Sequence, residues 1–491
     1  MGLVAGTVSG LACSLAFPPF DVGLLAYVAL VPLALYFSTA RARPLALASA
    51  AFGLSFFGVL IYWIRLFGTH AYVALVLVQT LWVVASLQLA RLIRDRLPPG
   101  ARFFALPLGF LIGEFARSHL PWGGFSWGGI GYTQHDNLLA LHLAPYTGVW
   151  GIALVILLVN SLIAEAILNA RSSPRASAKR LAGALVLVLF PAILPVGQPE
   201  GESAKIAMVQ GNVPEGTLDP NADDLIVMRS HVELTRRLDT SDLSLVIWPE
   251  SSFDQDPFRD PKFKQALDES IAEAKTPFIV GSTLGTRNEG LRNSSLMFEE
   301  DGSLAGIYTK QRLVPFGEFV PFRSFLQPLV RELDRVPVDL VAGKSSTVFS
   351  LPEGKFASVI CYESTYPDLV RAFVQRGARF LVVSTNFSSF ERSAAADQHI
   401  AFSQLRAAEH RMWVAHTAIS GKSAVVAPNG QVMERTELFT EEVLTPTIRF
   451  AVEPTLYARL GDWVPFAAIG LAVLLLVVAP ASRRLSKEEK P

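Results

Sequence analysis

Three residues in the 491-residue sequence carry complementary chemistry, and each follows a short apolar run that reads as a buried strand. Leu243-Ser244-Leu245-Val246-Ile247-Trp248-Pro249 ends on Glu250, Gly306-Ile307-Tyr308-Thr309 ends on Lys310, and Ala357-Ser358-Val359-Ile360 ends on Cys361. In α/β folds the loops that gather catalytic groups leave from strand ends. A thiol needs a base before it is a good nucleophile, and a tetrahedral intermediate needs a positive donor for its oxyanion. Glu250, Lys310 and Cys361 supply a base, such a donor and a nucleophile, the set required for acyl transfer. Each alone has a plainer explanation. A free cysteine is commonly a small buried hydrophobe, Glu250 can cap a helix or loop, and a lysine is usually a solvated surface cation. The expectation therefore rests on the trio.

These residues must be positioned by a chain that lives in two solvents. The sequence is 51% hydrophobic and only 18% charged, with a mean hydropathy of +0.36, too apolar for an ordinary soluble protein. Its 43 basic and 43 acidic residues cancel, so net charge offers no argument for a nucleic-acid partner. Six acids precede residue 201 (Asp21, Asp95, Glu114, Asp136, Glu165, Glu200) and the remaining 37 follow it. This asymmetry divides the chain into a membrane domain at 1–196 with seven transmembrane helices, an extracytoplasmic domain at 197–462, and a last transmembrane helix with a basic tail at 463–491.

Apolar runs at Leu3 to Phe17, Val22 to Phe37, Leu45 to Ile64, Ala71 to Ala90, Phe103 to Ala116, Val149 to Leu168, Leu181 to Val196 and Trp463 to Ala479 are the expected spans. Crossing a bilayer takes about 20 apolar residues. The third, fourth and sixth runs meet that length outright; the first, second, fifth and seventh are short, which leaves re-entrant or interfacial helices as the alternative. Glu114, inside the fifth, is expected to face other helices rather than lipid. The first run has no preceding Lys or Arg, unlike a cleaved signal peptide. Cys13, in a string that superficially resembles a lipid-attachment site, reads as a small helix residue.

With the N-terminus inside, the connections assigned to the cytoplasm hold Arg41 and Arg43; Arg91, Arg94, Arg96 and Arg102; Arg171, Arg175, Lys179 and Arg180; and Arg483, Arg484, Lys487 and Lys490. The short outer connections hold only Arg65 and Arg117. That bias places 197–462 outside the cytoplasm.

Within the outer domain, runs such as Lys205 to Val209, Leu243 to Trp248, Pro277 to Gly281, Phe356 to Ile360, Phe380 to Ser384 and Ala424 to Ala427 read as buried strands. Asp223 to Leu238, Pro261 to Lys275 and Asp397 to Arg411 read as helices. Many strands with few helices suggest two packed sheets with helices outside, although periodicity alone leaves an open doubly wound sheet equally allowed. Cys361 is the one cysteine of this domain, so it has no partner for a structural disulfide there.

The strings around the trio resemble a known family. Trp248-Pro249-Glu250, Lys310-Gln311-Arg312-Leu313-Val314-Pro315-Phe316-Gly317-Glu318 continuing to Pro321, and Cys361-Tyr362-Glu363 are similar to the three signatures of the carbon-nitrogen hydrolase (nitrilase) superfamily, and specifically to its membrane-bound branch, the apolipoprotein N-acyltransferases. Phe17-Pro18-Pro19-Phe20, Gly131-Tyr132-Thr133-Gln134 and Tyr457-Ala458-Arg459-Leu460-Gly461-Asp462 resemble landmarks of the same branch. The resemblance implies a polytopic α-helical membrane domain plus an extracytoplasmic α/β nitrilase-like αββα sandwich. It also implies transfer of a fatty acyl chain from a membrane phospholipid to the α-amino group of a diacylglyceryl-modified apolipoprotein through a thioester on Cys361, at a bacterial inner membrane. On that resemblance Glu250 is the base and Lys310 the oxyanion donor. Glu318 corresponds to a second glutamate that orients them, and Tyr362 and Glu363 flank the nucleophile.

Three segments depart from the family pattern: Asn386 to Phe390, Gly211 to Pro214 and Ala418 to Gly421. The apolar stretch Leu313 to Phe325 is either a lipid-facing arm or an ordinarily packed loop. Two other readings stay open, a membrane-tethered amidase acting on a small soluble amide and a non-catalytic binding protein. No His-Glu-x-x-His or Gly-rich phosphate loop is present, so neither a metal nor a nucleotide cofactor is expected, and His399, His410 and His416 read as residues of no special role.

Overall fold

A computed structural model describes residues 1–195, 197, 201–213, 225–253, 255–286, 288, 290–328 and 330–478. The basic tail from Arg483 to Lys490, Pro214 and Asp223 lie outside them. The chain separates into two units, Met1–Pro195 with Leu460–Pro491, and Val196–Arg459.

The first unit is helical. Ala42–Leu60, Thr69–Arg94, Val149–Asn169 and Pro174–Ile193 are long and apolar enough to cross a membrane. The last begins well before the apolar run that starts at Leu181: Pro174 sits in its first turn, where a missing N–H costs nothing, and the Ala and basic residues that follow favour helix. Gly2–Ser14, Gly23–Phe37 and Trp463–Val477 are shorter apolar helices, and Ala105–Arg117 spans 13 residues. Glu114 on that last helix is buried and its Oε1 accepts the Ile130 N–H at 2.8 Å, so the carboxylate faces the protein interior. Gly6 and Gly10 let the first helix close on Ala42–Leu60; a Cβ at either would meet backbone or side-chain oxygen at 2.1 Å. Asp462 accepts the Trp150 indole N–H at 2.9 Å, fixing the start of the final helix against Val149–Asn169.

The second unit contains two sheets. The first is built from β1 (Ser203–Gln210), β2 (Leu245–Phe253), β3 (Phe278–Leu284), β4 (Arg292–Phe298) and β5 (Leu304–Thr309). The second comprises β6 (Phe349–Leu351), β7 (Gly354–Ile360), β8 (Leu381–Thr385), β9 (Val414–Ala418), β10 (Ala424–Val426) and β11 (Val432–Arg435). Two late strands, β12 (Glu442–Leu444) and β13 (Thr447–Arg449), return to the first sheet and pair antiparallel with β1. The orders are β12-β1-β2-β3-β4-β5 and β11-β10-β9-β8-β7-β6. Each sheet has a parallel centre, β1-β2-β3 and β7-β8-β9, with antiparallel edges.

Strands covered on both faces read as continuous apolar runs, and Leu245 to Trp248 are all buried. Val246 and Trp248 pack under helices Leu225–Arg236 and Pro261–Ala274 through Met228, Val232, Phe263, Leu267 and Ile271. On the other face the sheets meet, where Ser295 of β4 and Ser358 of β7 share a hydrogen bond at 3.0 Å. Helices Pro367–Gln375 and Ala395–His410 belong to the second sheet's side. The arrangement is an αββα sandwich, and the second sheet removes the open doubly wound alternative.

Candidate active site

Glu250 sits where β2 stops being regular. The β2–β3 register shifts between Trp248 and Phe253, and Ser251 takes φ 59°. The bulge needs room on the neighbouring strand, and Gly281 of β3 provides it, since a Cβ there would meet the Pro249 carbonyl at 2.3 Å. Glu250 is 6% exposed. Its Oε1 accepts from Asn293 Nδ2 at 2.7 Å and Lys310 Nζ at 3.3 Å, while Oε2 accepts the Asn386 backbone N–H at 2.8 Å.

Lys310 follows β5 and continues its ladder, donating its N–H to Asn293 O at 2.9 Å and accepting from Gly343 N–H at 2.8 Å. Its Nζ, almost wholly buried, lies 2.7 Å from Glu318 Oε1 as well as 3.3 Å from Glu250. Glu318 reaches it because residues 314–319 close into a tight turn. Glu318 N–H donates to Val314 O at 2.8 Å, and Glu318 Oε2 accepts the Val314 N–H at 2.8 Å.

Cys361 ends β7 and takes φ 51°, a left-handed conformation costing a non-glycine residue on the order of 1–3 kcal/mol. Glu363 holds the elbow from one side. Its carboxylate accepts Ile360 N–H at 2.8 Å, Gln311 N–H at 2.7 Å, Arg312 N–H at 3.0 Å and the Tyr308 hydroxyl at 2.8 Å. One buried carboxylate thus fastens the segment after Lys310 to the residue before Cys361. Tyr362 turns instead onto Tyr366, edge to face at 5.3 Å, and Tyr366 carries the Arg312 guanidinium over its ring.

The electrostatics follow from burial and pairing. Burial pulls the Lys310 ammonium down, but Glu250, Glu318 and the Cys361 sulfur outweigh it and hold the group protonated well above its ordinary range. Burial raises the Cys361 thiol, Glu250 and Glu318 raise it further, and Lys310 and the Asn386 N–H oppose them only in part. The resting group is therefore a thiol beside a carboxylate. Burial also raises Glu363 despite its four donors.

The structure brings Glu250, Lys310, Cys361 and Glu318 together, with Glu363 behind them and Tyr362 to one side. Two members were not singled out in the sequence. Asn293 lies on β4, whose polar first half, Arg292-Asn293-Ser294-Ser295, gives no strand signal. Asn386 contributes through its backbone, which side-chain identity does not announce. The three segments that depart from the family pattern are contiguous: Asn212 N–H donates to Ile419 O at 2.8 Å, Val213 N–H to Ser420 Oγ at 2.7 Å, and Gly421 lies against Phe387. In the helical unit, Asp21, His135 and Asp136 bring ligand-type atoms within 4.8 Å of one another. There Asp21 lies 2.8 Å from Nε2 of the imidazole and Asp136 3.3 Å from Nδ1, the geometry of an ion-paired histidine.

Residues 9–162 match the apolipoprotein N-acyltransferase N-terminal domain, and residues 205–454 match the carbon-nitrogen hydrolase domain. The apolipoprotein N-acyltransferase of Geobacter metallireducens is 30% identical over 98% of this chain and 95% of its own. That of Gloeobacter violaceus is 30% identical with the same two coverages, and that of Coxiella burnetii is 26% identical over 97% of this chain and 99% of its own.

Proposed function

This chain belongs to the apolipoprotein N-acyltransferase family, and from that premise we propose that it moves a fatty acyl chain from a membrane phospholipid to the α-amino group of a diacylglyceryl-cysteine at a lipoprotein N-terminus. The observation that carries the proposed mechanism is the single buried constellation of Glu250, Lys310 and Glu318 around the Cys361 elbow.

In the first half-reaction Cys361 Sγ attacks the phospholipid ester carbonyl as Glu250 takes the thiol proton. Negative charge collects on the former carbonyl oxygen, and the Lys310 ammonium is held protonated to meet it. The intermediate collapses by breaking the C–O bond, the departing lysophospholipid oxygen takes the proton from Glu250, and a thioester remains on Cys361. In the second half-reaction the lipoprotein amine attacks the thioester, Glu250 accepts the amine proton, and the C–S bond breaks. The proton then returns to sulfur. Asn293 and the Asn386 N–H keep the carboxylate aimed throughout, and Glu318 shares the Lys310 charge so that Glu250 does not have to neutralise it alone.

The tethered-amidase reading is the weaker one, because the match to the N-acyltransferase family includes the helical unit and not only the hydrolase domain. Mass spectrometry of a lipoprotein N-terminus tests the proposal directly. With the protein present the N-terminal cysteine is expected to gain one amide-linked acyl chain, and a lipoprotein left diacylated in both samples, with a small amide hydrolysed instead, would favour the amidase.

The chain is a membrane protein with helices long enough to span. We place it in the bacterial inner membrane with the hydrolase unit outside the cytoplasm, on the strength of basic residues in the short connections. An export-dependent reporter fused after Gly201 is expected to be active and one fused after Lys490 inactive. The reverse pattern would turn the site toward cytoplasmic amides. Activity at both fusions would mean an odd number of crossings, with one short helix re-entrant.

A further inference from the structure

The Cys361 elbow has a second support, opposite Glu363, that the mechanism above does not use. His399, on helix Ala395–His410, is fully buried, and its Nε2 lies 3.0 Å from the Cys361 carbonyl oxygen and 2.9 Å from Ser364 Oγ. A carbonyl can only accept, so Nε2 carries the proton and donates it there. Burial pushes the imidazole pKa down to about 3, which leaves this neutral tautomer in place at any working pH. The ring also lies over Phe387, centroids 4.9 Å apart at 36°, and meets His416 edge-on at 4.9 Å. Phe387 directly follows Asn386, whose N–H orients Glu250. One rigid side chain therefore touches the nucleophile's own peptide and the loop that aims its base.

We propose that His399 is a positioning residue for acyl transfer: its Nε2–H pins the Cys361 carbonyl of an elbow held in the left-handed region, and its ring face fixes the 386–387 loop at the matching distance. Phe387 and Glu363 set the two ends, and His399 couples them. The inference rests on the reading of Cys361 as nucleophile. A side chain that merely filled space would be replaceable by an apolar residue of similar volume. One that positions through Nε2–H requires a donor at that reach.

The test is single-turnover thioester formation on the full-length protein in detergent, from a phospholipid with a radiolabelled acyl chain. His399→Leu is expected to slow the step about 100-fold at saturating phospholipid, the scale of a misplacement near 1 Å, with the half-saturating concentration unchanged. His399→Gln, whose amide N–H reaches the Nε2 position, is expected to stay close to wild type. His399→Asn, one bond shorter, is expected to fall with the Leu variant. Should the Leu variant fail to fold, the Gln and Asn pair decides, since both keep a polar amide. A wild-type rate in His399→Leu, or equal losses in the Gln and Asn variants, overturns the positioning role, provided Cys361→Ala forms no thioester. A thioester on Cys361→Ala overturns the nucleophile reading itself, and this inference with it.

Discussion

Cys361→Ala is expected to leave the protein folded and membrane-inserted with no acyl chain attached after incubation with phospholipid. The physical basis is that the chain has two cysteines, and only one stands near charged groups that can activate it. Cys13 is buried on the helix Gly2–Ser14, with no exposed surface. Cys361 is partly exposed, at a strand end, with a carboxylate and an ammonium beside it. Removing its sulfur should not cost stability. Alanine adopts the left-handed conformation no worse than cysteine, and the thiol contributes no structural disulfide. Intact-protein mass spectrometry, with hydroxylamine to release a thioester, reads the result alongside a thermal melt. An adduct that persists on the variant, or one mapped to Cys13 in the wild type, would take the nucleophile role from Cys361.

The trio was legible because each member ends a run that is apolar for a simple reason. Central strands of the two sheets are covered on both faces, so β2, β7 and β8 appear as unbroken hydrophobic strings, and the first polar residue after each marks the strand end. The edge and antiparallel strands left no such mark. β4 begins with Arg292-Asn293-Ser294-Ser295 because that half lines a polar site, and β11 is mostly exposed. The pairing of β1 with β12 and β13 joins residues more than 230 positions apart, Met208 with Leu444 and Ser203 with Arg449, and no local periodicity encodes it. In the membrane unit, helix lengths were misjudged where a polar first turn precedes the apolar run, as at Pro174 to Arg180. His399 and Asn386 were passed over for a related reason: one acts through a backbone carbonyl and the other through a backbone N–H, and both partners exist only once the chain is folded.

Glu250→Gln should separate two properties of Cys361 that usually change together. As the base, Glu250 accounts for the proton leaving sulfur during attack, and its removal is expected to slow thioester formation by about 10²- to 10⁴-fold. As a charge, Glu250 acts in the other direction. After burial it is the largest influence raising the thiol, whereas Lys310 lowers it. Glutamine deletes the negative charge and leaves Lys310, still paired with Glu318 at 2.7 Å, beside the sulfur. The thiol pKa of the variant must therefore fall, and its thiolate must be populated at lower pH than in the wild type. Iodoacetamide labelling of Cys361 against pH is expected to shift its midpoint downward even as acyl transfer is lost. A neutral amide can satisfy Asn293 or the Asn386 N–H through its one carbonyl, so the local geometry survives at the cost of a single hydrogen bond. Unchanged acylation would remove Glu250 from the base role. A labelling midpoint that moved upward would mean that the carboxylate does not act on the thiol as a neighbouring charge, and the constellation would then need a different proton acceptor for the attack on the ester.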